Sequence, residues 1–207
     1  MTRPGIVLLG AGGHALACID VIEASGRYRI EGLLGAAGEK GEQHLGYPVL
    51  GSDDELARLA KPTTNALVCV GQIKSPDLRM RLFARLRELS FGLPTIIAPT
   101  AWVSPHARIG AGSIVMHGAI VNAGADVGEN CIVNTRALVE HGARVGDHCH
   151  IATGALLNGD VEVGEGSFIG SGSLVKEGVR IGRRCIVGLG ATVFSALPDD
   201  AVLRQAR

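Results

Sequence analysis

The stretch Ala137-Leu-Val-Glu-His-Gly-Ala-Arg-Val-Gly-Asp-His-Cys-His-Ile-Ala-Thr-Gly154 divides into three blocks of six, ALVEHG, ARVGDH and CHIATG. Each opens on a small residue and carries an aliphatic residue third. Read outward, the register holds without insertion from Ala101 to Ala196, sixteen hexads in all. The third residue is Val, Ile or Leu in every hexad, and the first is Ala, Ser, Cys or Val in every hexad. A sustained six-residue period predicts a parallel β-helix, in which each hexad makes one flat face and three hexads close a coil. The third side chain points into the prism. The small first residue lets the chain pack beside it, and Gly at the fourth and sixth positions serves the tight turns. Residues 18 apart then stack. Cys131, Cys149 and Cys185 fall at the small inward position, as buried hydrophobes.

Upstream of the repeat the pattern changes. Ile6–Leu9 is a short apolar run ending in Gly10-Ala-Gly-Gly13, and His14–Ala24 carries Leu16, Ile19 and Ile22 at helical spacing. Tyr28–Leu34 reads as a second strand. Ser52-Asp-Asp-Glu55 is a capping box before a helix at Leu56–Ala60. Ala66–Val70 is a buried strand, and Pro76–Leu89 is an amphipathic helix with Leu78, Leu82, Leu86 and Leu89 on one face. Leu93–Ala98 closes the set. Strand–helix alternation at this spacing predicts a small parallel α/β domain over residues 1–98, followed by the all-β parallel β-helix over 99–207.

Composition excludes several classes. Twenty Lys and Arg balance twenty Asp and Glu, which argues against a nucleic-acid binder held by bulk charge. No apolar run reaches the roughly 18 residues of a membrane span, and Ile6–Leu9 is too short for a signal-peptide core. Five cysteines without a CxxC spacing suit a reducing cytoplasm.

Three groups of residues carry possible chemistry. Gly10-Ala-Gly-Gly-His14-Ala15 has the form GxGxxA, but no acid ends the second strand to hold a ribose, since that stretch reads Leu33-Leu-Gly-Ala-Ala37. The bare N–H groups of a helix start remain, a cradle for a phosphate or nucleotide, or else a structural turn. His141 occupies the fifth position of its hexad. Single prisms with an open sheet face tend to trimerise, and a cleft between prisms would let a neutral imidazole take a proton near pH 7. His117, His141, His148 and His150 form the third group. Zinc needs three or four converging ligands, and a turn between faces separates His148 from His150, so no metal site is expected.

Taken together, the motifs resemble the NeuD/PglD-type sugar acetyltransferases of bacterial surface-sugar synthesis. The likeness runs through Gly10–His14, Gly46–Asp53, Val70-Gly71, Asn134–Gly142, Asn158–Val161 and Phe168–Ser171. The Asn134–Gly142 and Asn158–Val161 stretches look most like the sialic acid O-acetyltransferase branch. The resemblance implies a Rossmann-like N-terminal domain joined to a left-handed β-helix, and an acetyl-CoA-dependent acetyltransferase acting on a sugar or nucleotide-sugar acceptor; the cysteine usage and the open prism faces add the expectation of a cytoplasmic homotrimer. The resemblance also implies His141 as catalytic base. It places His150, Ser171 and Leu189 along acetyl-CoA, and Gly12, Gly13, His14 and Gly71 at the acceptor. The sequence departs from the family in three places. Gly142 stands where many N-acetyltransferase members carry Asp or Glu, leaving Asn134 or Glu140 to orient His141. Gly35-Ala36 stands where an acidic pair holds uracil, and the final stretch Asp200–Arg207 lacks the usual GxPA segment. A carbonic-anhydrase-like metal enzyme and a non-catalytic β-helix adaptor are the alternative readings.

Overall fold

The computed structural model describes residues 3–60 and 64–204, so Gln205–Arg207 of the final stretch lie outside the described residues. Contacts divide the chain into two units, Met1–Gly71 with Asp77–Pro99, and Gln72–Pro76 with Thr100–Arg207.

In the first unit the apolar run becomes β1 (Gly5–Leu9), and the glycine turn leads into α1 (Gly13–Ser25). These are followed by β2 (Arg29–Leu34), β3 (Gln43–His44), β4 (Tyr47–Gly51), α2 (Leu56–Leu59), β5 (Asn65–Val68) and α3 (Asp77–Glu88). The strand order is β3-β4-β2-β1-β5, parallel except between β3 and β4. β1 lies between β2 and β5, and its Ile6–Leu9 are buried, as an interior strand of a parallel sheet requires. α1 buries Ala15, Cys18, Ile19, Val21 and Ile22, then stops at Gly26, whose left-handed backbone (φ 61°) lets its N–H donate to Ile22 O and Glu23 O. Ser52 does cap: its Oγ accepts from Asp54 N–H at 3.4 Å, opening a 3-10 turn at Asp53–Glu55 that runs into α2.

Two helix faces differ from the periodic reading. Leu16 and Leu78 are exposed, and α3 buries Arg79 beside Leu82, Phe83 and Leu86. Arg79 is 1% exposed, and its Nη1 donates to Val68 O at 2.9 Å and Val70 O at 2.6 Å. The guanidinium thus satisfies the carbonyls at the end of β5, which offsets the cost of burying a cation. β4 is a strand that Pro48 and Gly51 conceal in the sequence. Its Val49 is buried opposite Leu33 of β2.

The second unit is a three-sided coil. One six-stranded sheet stacks Trp102–Val103, Ile120–Val121, Leu138–Val139, Leu156–Leu157, Leu174–Val175 and Thr192–Val193. A five-stranded sheet stacks Arg108–Ile109 through Arg180–Ile181. The third runs through Ile114–Val115, Ile132–Val133, His150–Ile151, Phe168–Ile169, Ile186–Val187 and Val202–Leu203. Every pairing between consecutive hexad coils is parallel and 18 residues apart, as Ile120 with Leu138 and Ile132 with His150. First and third hexad residues both point inward: Cys131, Val133, Ala137 and Val139 are all at most 1% exposed.

The two glycine positions have different causes. Sixth residues of the hexads between the first and the last adopt a left-handed backbone, and where they are not Gly they are Asn130, Arg136, His148, Asp160 or Arg184, with φ from 52° to 59°. Fourth-position glycines are there for close approach. A Cβ on Gly164 or Gly170 would lie 2.5 Å from the backbone carbon of the glycine one coil on.

Candidate active site

Three places in the two units carry functional groups. The first is a cavity of about 450 Å³ in the α/β unit, at the carboxyl ends of β1, β2 and β5. This is where an open parallel sheet changes winding direction and opens a crevice. Gly12 is the N-cap of α1, without a side-chain cap, and no acid lies in the first turn. The helix therefore presents bare N–H groups and a partial positive charge. A Cβ on Gly12 or Gly13 would meet nothing within 4 Å, so both look into open space, while a Cβ on Gly71 would sit 3.6 Å from the Cβ of His14. Gly10 (φ 121°) has no such room, since a Cβ there would lie 2.9 Å from backbone atoms of Cys69 and Val70. The structure therefore gathers Gly12, Gly13, His14 and Gly71 around one cavity. Two lining carboxylates were missed from sequence. Glu39 folds back so that its Oε2 accepts from Ala36 N–H at 2.7 Å, and Asp53 lines the cavity with Arg81. Glu39 lies in a loop whose course the sequence does not reveal, and Asp53 opens the 3-10 turn that Ser52 caps. Below them Cys18 and Cys69 meet. The Cys69 thiol bonding to it, with His14 and Arg79 nearby, pushes the Cys18 thiol down to about 5, and burial pushes Cys69 up.

The second place is the border where the six-stranded sheet turns into the five-stranded one. His141 lies here and is exposed. Its backbone N–H donates to Glu140 Oε2 at 2.9 Å, and this bond, with one from the Asn122 side chain, holds the Glu140 carboxyl below the usual range. No hydrogen bond from the described residues reaches the imidazole. The ring rests instead on Gly159 of the next coil, where a Cβ would come within 2.6 Å of Cε1 and 2.9 Å of Nε2. Asn134, one of the two expected orienting groups, is engaged elsewhere: its Nδ2 lies 3.0 Å from His150 Nε2.

The third place is the opposite border of the six-stranded sheet. Ser171 and the exposed Leu189 stack there on successive coils, with Gly190 N–H donating to Ser171 O at 2.8 Å. His150 points outward from the adjoining third sheet and is buried. Its Nδ1 lies 2.7 Å from Gln72 O. A carbonyl only accepts, so the proton is on Nδ1 and Nε2 accepts from Asn134. Phe168 meets the ring edge-on at 5.3 Å. Both nitrogens of His150 are therefore occupied. His141 and the Ser171–Leu189 row are not brought together within one chain, because the width of the six-stranded sheet separates them. The remaining histidines are dispersed. His117 Nδ1 lies 2.8 Å from Thr100 Oγ1 and His148 Nδ1 lies 2.9 Å from Asn130 Nδ2. Among the described residues no three His, Cys, Asp or Glu converge as metal ligands.

The family profile of the PglD N-terminal domain matches residues 5–86. A profile described as the hexapeptide repeat of succinyl-transferase matches 126–158, and the bacterial transferase hexapeptide (six repeats) matches 160–195. Among solved structures, a mutant of perosamine N-acetyltransferase from Caulobacter crescentus, in complex with CoA and GDP-perosamine, superposes with a TM-score of 0.90. It is 35% identical, over 97% of this chain and 93% of that one. The acetyltransferase domain of PglB from Neisseria gonorrhoeae FA1090 is 31% identical, over 97% of this chain and 96% of that one, with a TM-score of 0.89. The chain belongs to the NeuD/PglD-type sugar acetyltransferases. No curated protein sequence matches this acetyltransferase. WeeI from Acinetobacter baumannii AYE, at 21% identity and a TM-score of 0.83, shares its fold. In the N-terminal cavity of this acetyltransferase the carboxylate beside Gly35-Ala36 is that of Glu39, three residues beyond Ala36.

Proposed function

We propose that the protein transfers acetyl from acetyl-CoA to the amino group of a nucleotide-linked amino sugar, in the cytoplasm and as a homotrimer, with His141 as general base. The observation that carries this reading is the exposed His141 imidazole, steadied on a glycine and free of hydrogen bonds from the described residues, in a chain of this family. The related perosamine enzyme was crystallised with CoA and GDP-perosamine, also with a histidine replaced by asparagine or by alanine.

The acceptor amine attacks the thioester carbonyl, and His141 takes the amine proton as the C–N bond forms. The tetrahedral intermediate collapses, the C–S bond breaks, and the imidazolium returns the proton to the leaving thiolate. Base catalysis of this kind contributes roughly 10²- to 10⁴-fold. The bare N-terminus of α1, with Gly12, Gly13, His14 and Gly71, takes the diphosphate of the acceptor. Ser171, Leu189 and the His150 neighbourhood line the pantetheine arm. Those groups lie on the border opposite His141, so the base of one chain completes the cradle of the next. The apolar outward row Trp102, Ile120, Leu156 and Leu174 spans the sheet between the two borders and supplies the contact surface.

The test is CoA release across GDP-, UDP- and CMP-linked amino sugars and free sialic acids, with GDP-perosamine first. Turnover on a nucleotide amino sugar, with product heavier by one acetyl group, is expected. Turnover confined to a sialic acid hydroxyl would assign O-acetylation instead, and no CoA release from any acceptor overturns the reading. Sedimentation should give about three times the 21.4 kDa chain. Chelation should leave turnover unchanged. Loss on chelation would revive the carbonic-anhydrase-like alternative, and a thermal-shift screen without response to acetyl-CoA would favour the adaptor.

A further inference from the structure

The geometry points to Asp160 as the residue that positions His141, supplying from the following coil the carboxylate that its own turn lacks. The assignment rests on His141 acting as the base.

The two turns pack reciprocally. His141 lays its ring over Gly159, and Asp160 lays its carboxylate over Gly142, so that its Oδ1 occupies the space where a side chain on residue 142 would begin. The coils are tied at this point, since Asp160 N–H donates to His141 O at 3.0 Å. Each side chain thus crosses onto the glycine beside the other's own backbone, which puts imidazole and carboxylate on adjoining rows of the same two stacked turns. Asp160 takes the left-handed backbone of a sixth hexad residue (φ 57°), a conformation that Asp tolerates well.

Glu140 is the other acid on the turn, and it is committed. Its Oε2 accepts from His141 N–H, and its carboxyl also bonds the Asn122 side chain. The titratable groups on this border from Glu140 through the next two turns are Glu140, His141, Asp160, Lys176 and Glu177. Of these, Asp160 is the one whose carboxylate lies over the residue adjoining His141. A carboxylate beside the ring favours the imidazolium that forms as the amine loses its proton, and restricts rotation of an otherwise unbonded ring.

The test compares the native protein with Asp160→Asn and with the transfer variant Gly142→Asp/Asp160→Gly. Asn and Gly both accept the left-handed backbone, and Gly142 (φ 68°) is a position that Asp can hold. The first readout is the His141 Cε1–H titration by NMR, assigned with His141→Asn, which needs no acceptor. In Asp160→Asn the imidazole midpoint should fall by about 0.5 pH or more, because a neighbouring negative charge is lost, and the transfer variant should restore it. The second readout is turnover. kcat should fall about tenfold in Asp160→Asn with both KM values within about twofold, and should recover in the transfer variant. An unmoved His141 midpoint in Asp160→Asn overturns the assignment, as does a rise in acceptor KM with kcat intact, which would make Asp160 a sugar ligand. If the native protein acetylates no acceptor, the proposed function fails while the titration still decides the pairing.

Discussion

Two sheets of the prism share one backbone and differ in a single column of residues. The outward second residues of the five-stranded sheet are Arg108, Asp126, Arg144, Glu162 and Arg180, alternating in charge up the stack. Those of the six-stranded sheet are Trp102, Ile120, Leu138, Leu156, Leu174 and Thr192. On the charged sheet Arg108 meets Asp126 at 2.9 Å, and Glu162 lies 3.8 Å from both Arg144 and Arg180. Such a ladder keeps water on its face and is worth little to stability, because exposed pairs contribute roughly 0–1 kcal/mol. The apolar column gains nothing from water and about 25 cal/mol for each Å² it hides. The interior hexad positions dictate the coil. The second position decides what each side of the coil is for.

The largest test of that contrast is Leu156→Glu with Leu174→Glu. Carboxylates in the apolar column should turn the assembly into monomers by sedimentation and lower turnover at least about 10³-fold, since two-sided sites would be lost. A trimer that survives would show that the apolar column is not the seam. Next is His141→Asn, on one border of that column. It should lower kcat roughly 10²-fold or more while acetyl-CoA affinity stays within about twofold. Gly159→Ala sharpens the same point from beneath the ring, because its methyl would have to occupy space 2.6 Å from His141 Cε1. A kcat loss of about tenfold, with unchanged acetyl-CoA KM, is expected. Gly13→Val tests the other unit. It should raise the sugar KM about tenfold, or roughly 1.4 kcal/mol, and leave the acetyl-CoA KM within about twofold. A rise in the acetyl-CoA KM would exchange the two pockets. The smallest effect belongs to the charged column, where Glu162→Gln should change unfolding free energy by under about 0.5 kcal/mol in urea titrations. A large loss there would make that sheet, too, a structural contact.

Legibility from sequence followed periodicity. The hexads declare the coil because inward positions repeat every six residues without interruption, and the stacking of Ser171 under Leu189 follows from the 18-residue spacing alone. The fourth-position glycines look like turn glycines in the sequence. Only the stacked backbones reveal that they permit close approach instead. In the α/β unit, helical spacing put Leu78 in the core and hid Arg79, because periodicity cannot anticipate a cation bound by the carbonyls of Val68 and Val70. The glycine turn of the cavity was legible as a helix start. Glu39 was not, since it reaches the cavity by folding back on its own loop. The engagement of Asn134 with His150, rather than His141, was likewise invisible, because Gln72 lies 78 residues away in sequence from the ring whose proton it fixes.

The stacking of coils also makes the prism a ruler. Neighbouring strands lie about 4.8 Å apart, so groups along one border are placed in whole steps of that length. Thr153, Ser171 and Leu189 mark three consecutive graduations on one border, joined by N–H bonds from Gly172 to Thr153 O and from Gly190 to Ser171 O. Change in the length of whatever lies along that border is accordingly quantised. Removing the 18 residues of one coil shortens the scale by a single graduation and leaves every inward residue in register, whereas removing any number not divisible by six erases the scale altogether.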